Sequence, residues 1–76
     1  MGIKKLSFGP GTVDIPFGYG LLIVWSSARG DSTCVYYGRS NSITPIVESE
    51  VYTVTKKSEW TSTIASSIGG YMVIVA

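Results

Sequence analysis

The chain has 76 residues, with six lysines and arginines, five aspartates and glutamates, no histidine and a net charge of +1. One domain of this size hides only about 60% of the surface its unfolded form exposes, and a chain so close to neutral carries no electrostatic footprint for nucleic acid or an anionic membrane. No apolar run approaches the roughly 20 residues of a membrane-spanning helix, so neither membrane insertion nor nucleic-acid binding is expected and the chain reads as soluble.

Serine and threonine are abundant, β-branched and aromatic residues dominate the apolar set, and leucine and alanine are scarce. That balance disfavours helix. In chain order, residues 4–8 form a first strand that ends at Gly9-Pro10-Gly11, a tight turn in which glycine accepts positive φ and proline fixes the corner. Residues 12–15 follow and stop at Pro16. The cluster 16–20, with Gly18 and Gly20 around Tyr19, cannot hold a regular ladder and is expected to bend into the next strand. Residues 21–26 carry the strongest β signal, close at the hairpin loop 28–31 with Gly30 in the left-handed position, and return as 32–37. A polar turn at 38–41 leads to 43–48, which Pro45 confines to an edge or a bulge. Residues 50–56, 60–65 and 71–76 complete the series, the last two joined through 66–70. The stretch 58–68 breaks on its own threonines and ends at Gly69-Gly70, so it is expected to be strand rather than helix. About eight short segments in close succession predict one all-β domain over residues 1–76, a compact antiparallel, jelly-roll-like sandwich of seven or eight strands.

A domain this small usually needs a staple. Cys34 is the only cysteine, so no disulfide forms within the chain. One thiol with scattered carboxylates and no histidine does not make a tetrahedral zinc site. Association with further copies is the remaining source of buried area. A lone cysteine without a signal-peptide pattern is compatible with synthesis in a reducing cytoplasm. Lys4-Lys5 and Lys56-Lys57 read as solvated strand ends or edge protection.

The segments Leu21-Leu22-Ile23-Val24-Trp25 and Tyr71-Met72-Val73-Ile74-Val75 are apolar at every position. A strand with one wet face alternates, so each of these requires two dry surfaces. One small sandwich has a single interior, and the second face must meet another chain or a covering loop such as 16–20.

Catalysis is not expected. The commonest general base is missing with histidine, and Asp14, Asp31, Glu48, Glu50 and Glu59 fall in or beside turns. Glu48 and Glu50 read as a solvated edge rather than a glycosidase pair, and Cys34, in mid-strand, as a buried inert thiol. The glycine clusters precede strands, so no helix N-terminus is offered to a phosphate, and no cofactor is expected. Recognition is better served. Flat aromatic rings suit sugar faces and short polar groups suit hydroxyls. Tyr36, Tyr37, Arg39, Ser40 and Asn41 fall at the end of one strand and its loop, with Trp60 and Tyr52 as further candidates. Of the tyrosine pair one ring points inward, and alternation with Val35 puts Tyr37 on the face that Val35 shares.

Gly-Leu-Leu-Ile-Val-Trp, Cys-Val-Tyr-Tyr-Gly, the later Trp-Thr-Ser-Thr-Ile run and the closing Gly-Tyr-Met-Val-Ile-Val give residues 12–76 a layout that resembles the C-terminal head domains of bacteriophage fibre and receptor-binding proteins. The resemblance implies three copies around a common axis at the tip of a fibre in a virion made in the host cytoplasm. It implies a receptor on the host surface, a glycan or a protein, for which Tyr36, Tyr37, Arg39, Asn41 and Trp60 are the ligand-binding candidates that the sequence itself offers. A structural virion component, such as a capsid decoration or assembly protein, is the alternative.

Overall fold

A computed structural model describes residues 2–26, 32–39 and 41–76. They form eight strands: β1 (Ile3–Phe8), β2 (Gly11–Ile15), β3 (Tyr19–Trp25), β4 (Cys34–Arg39), β5 (Ser42–Val47), β6 (Thr53–Lys56), β7 (Ser62–Ser66) and β8 (Gly70–Val75). All pairings are antiparallel, in a five-stranded sheet of order β1-β8-β3-β4-β5 and a three-stranded sheet of order β2-β7-β6. The expected all-β, two-sheet architecture is what forms. The hairpin loop expected at 28–31 lies outside the described residues, as does Ser40.

The core lies between the sheets. Leu22 and Val24 of β3, Cys34 and Tyr36 of β4, and Met72 and Ile74 of β8 point inward from the larger sheet, toward Ile15 and Ile64 of the smaller one. Phe17 and Tyr52 enter this interior from the crossovers. The Tyr52 hydroxyl donates to the Gly69 carbonyl at 2.6 Å, and its ring meets Phe8 edge-on at 5.8 Å.

Element bounds differ from the sequence expectation in several places. β3 begins at Tyr19, so Tyr19 and Gly20, expected in an irregular bend, pair with Arg39 and Gly38 in the ladder, and β4 begins at Cys34 rather than at residue 32. The strand expected from Glu50 begins only at Thr53, because residues 48–52 carry the chain from one sheet to the other: the Val51 amide donates to the Ser49 hydroxyl at 3.1 Å, and Tyr52 drops into the core. β4 runs on through Gly38, which was expected in the turn. A Cβ at Gly38 would stand 2.7 Å from the Phe17 ring, so the missing side chain makes room for that ring. Trp60, expected at the start of a strand, lies in the loop before β7. Pro45 falls as anticipated in an edge strand, and the β4–β5 register shifts between Val35 and Tyr36.

The bend at 16–18 does not cover the outside of the larger sheet. Phe17 is turned into the core, and the bend is fastened to the other sheet instead. The Ser62 hydroxyl donates to the Phe17 carbonyl, and the Lys56 ammonium donates to the carbonyls of Gly18 at 3.2 Å and Glu59 at 2.8 Å.

Candidate binding surfaces

The two sheets treat their outer faces differently. On the three-stranded sheet the registers Asp14↔Thr63 and Thr55↔Thr63 set short polar side chains beside one another. Lys57 crosses this side to Asp14 in an exposed ion pair of 2.6 Å. Alternation is kept there, as in a sheet with one wet face.

On the five-stranded sheet alternation is lost. Leu21 lies between Val75 and Tyr37, Ile23 between Val73 and Val35, and Trp25 beside Tyr71. The Trp25 and Tyr71 rings stand 6.0 Å apart at 30°. Leu21, Tyr37 and Tyr71 remain 37%, 39% and 38% exposed, while Ile23, Val35, Val73, Val75 and Trp25 are half-buried by their neighbours in the sheet. Charge stays at the perimeter: Lys5 pairs with Val73 from edge strand β1, and Arg39 ends β4 opposite Tyr19. At about 4.8 Å between strands and 3.3 Å per residue the face is roughly 20 Å square, on the order of 400 Å² in projection, which is the size of the largest apolar patches on monomers, often functional.

The second surface is the end of the sandwich where β3 begins and β4 ends. Tyr19 faces Arg39 across the ladder, and Asn41 is exposed in the following turn. Gly18 brings Trp60 to the same end, since a Cβ there would sit 2.2 Å from the Glu59 carbonyl oxygen and 2.6 Å from the Trp60 Cα. Trp60 is 62% exposed on a loop closed by the amides of Lys57 and Ser58, which donate to the Thr61 carbonyl at 3.0 and 2.9 Å. A large aromatic residue held this way contributes little to the core and stands open to a partner.

The sequence candidates therefore divide. Arg39, Asn41 and Trp60 gather at this end. Tyr37 lies on the apolar face with Val35, as the alternation predicts. Tyr36 is a correction: it shares the inward side of β4 with Cys34 and Gly38, is 6% exposed and is part of the core, so its ring offers no platform. Tyr52 is buried likewise. Tyr19, which the sequence reading absorbed into a bend, joins the set at half exposure; its signal was an aromatic between two glycines ahead of a strand.

A third feature is a shallow cavity of about 330 Å³ beside the β5–β6 crossover, lined by Tyr36, Glu48, Ser49, Glu50, Tyr52 and Thr53. Burial raises the Tyr36 and Tyr52 hydroxyls above their ordinary value and pushes the Cys34 thiol up to about 11. Cys34 is thus held in the un-ionised form that neither attacks carbon nor binds metal readily. Among the described residues no three metal-ligating side chains come together.

Compared with known proteins, the chain matches no family model, no curated protein and no solved structure.

Proposed function

We propose that this chain is a non-catalytic binding domain of the phage fibre head type, acting as a homotrimer that takes a host-surface glycan at the end formed by Tyr19, Arg39, Asn41 and Trp60. The observation that carries this reading is the exposure of Tyr19, Arg39, Asn41 and Trp60 at one end of the sandwich, with Tyr19 paired to Arg39 in the ladder. Rings stack on the apolar faces of sugars, and the polar groups bond their hydroxyls. The width of the larger sheet supports three copies. Faces roughly 20–24 Å wide around an axis leave about 6–7 Å from each sheet to that axis, close to the roughly 5 Å half-spacing of packed sheets, so side chains rather than a channel fill the centre.

A glycan array probed with the full chain, beside a pull-down on phage particles, tests the reading. Binding to a glycan class that falls at least about tenfold in Trp60→Ala and Arg39→Ala, with assembly unchanged, supports it. Docking on particles without glycan binding replaces it with the structural virion component.

A further inference from the structure

We infer that the outer face of the five-stranded sheet is where copies of this chain meet, the β8 half of one face packing on the β4 half of its neighbour about an axis parallel to β3. The inference takes the homotypic assembly from the reading above and names its seam.

The contrast between the two outer faces comes first. The same chain keeps threonine, aspartate and lysine on the outside of one sheet and sets Leu21, Ile23, Trp25, Val73 and Tyr71 on the outside of the other. Solubility alone would favour the first pattern on both. The described loops do not cover the apolar side, since the 16–18 bend is fastened to the opposite sheet. The face has an apolar centre that includes aromatic residues and a mixed rim, in which Lys5, Ser7, Arg39 and Thr44 alternate with Ile3, Tyr19 and Val47.

The occupant follows from area and from register. A patch on the order of 400 Å² in projection is about half of the roughly 800 Å² per partner of a standard protein interface, and exposed Ile3 and Val47, paired with Val75 and Val35, extend the same apolar face onto the edge strands. A second copy brings the same patch at the same concentration.

Under rotation about an axis parallel to β3, each residue keeps its height along the strands while left and right exchange. Tyr37 of one copy then lies over Val75 of the next, and Val73 over Val35. At the far end of the face Tyr71 lies over Thr33, the residue just ahead of β4. Each tyrosine then meets a smaller side chain, β3 meets β3, and Lys5 lies over Val47 on edge strand β5. An axis across the strands would instead set Lys5 on Lys5 at the seam, where like charges are costly. The same halves meet around a two-fold or a three-fold axis.

Sedimentation equilibrium of the full chain and three variants tests this. Ile23→Lys, at the centre of the face, is expected to weaken association by about thirtyfold or more. Ile23→Thr keeps β propensity without the apolar bulk and covers the case in which lysine prevents folding, with far-UV circular dichroism reporting the fold. Thr55→Lys, on the outside of the smaller sheet, is expected to assemble like the parent. A parent chain that stays monomeric at its solubility limit overturns the inference, as does a folded Ile23→Thr that associates as tightly as Thr55→Lys. A dimer sensitive to Ile23 supports the seam and contradicts the trimer proposed above. Assembly without glycan binding likewise leaves the seam standing and removes the receptor reading.

Discussion

At Cys34 and its neighbours, burial has consequences that can be measured in alkaline solution. The thiol moves from 9.0 to about 11 because it is desolvated, and the Tyr36 and Tyr52 hydroxyls are raised for the same first reason. Each is an acid that ionises more readily in the unfolded chain. The folded state therefore has its full stability below about pH 9 and loses it as the pH rises toward 11, by an amount on the order of 2–3 kcal/mol from the thiol alone. Thermal unfolding followed from pH 8 to 11 should show a falling midpoint, with a shallower fall in Cys34→Ala; equal slopes in both proteins would remove Cys34 as the cause. Tyr52 supplies a second residue-scale prediction. Tyr52→Phe leaves the Gly69 carbonyl without its buried donor and should cost about 1–3 kcal/mol in urea unfolding at an unchanged m-value.

Among the elements, β3 and β8 decide the character of the molecule, and their pairing is tight. Gly20 takes φ of 105°, and a Cβ there would stand 2.0 Å from the Val75 carbonyl oxygen. Gly20→Ala is expected to destabilise the fold by about 2–4 kcal/mol, through a left-handed backbone and a clash with an immovable carbonyl. A loss under about 0.5 kcal/mol in chemical denaturation would mean that the β3–β8 ladder is looser than its register shows. The sequence made these two strands legible because every position in them is apolar, and it made the eight-segment layout legible through glycine and proline. It could not show which strands lie side by side. The pairing of β1 with β8 joins the two ends of the chain, and no local pattern encodes a contact at that separation.

For the whole molecule, the same limit explains the mixed outcome at the candidate site. Alternation in β4 correctly put Tyr37 with Val35, and the same alternation withdraws Tyr36 into the core. Trp60 and Tyr19 come from segments 41 residues apart in number and reach the same end because Gly18 packs on the Glu59–Trp60 backbone and the Lys56 ammonium and the Ser62 hydroxyl tie the 16–18 bend to β6 and β7. No spacing rule foretells a bond between a lysine and a distant glycine carbonyl. The unequal outer faces were legible in part, since two-faced apolar strands imply a second dry surface, but only the sheet order shows that β8, β3 and β4 set their outward residues into one continuous patch.

That patch is the centre of the account, and the mass of the unmodified chain in solution tests it most directly. Light scattering across a dilution series is predicted to give a multiple of the 8.1 kDa protomer that dissociates on dilution, with the emission of a Trp60→Phe variant, in which Trp25 is the one tryptophan, shifting to the red as the seam opens to water. A mass of one protomer at every concentration up to the solubility limit, with that emission unchanged, would contradict it.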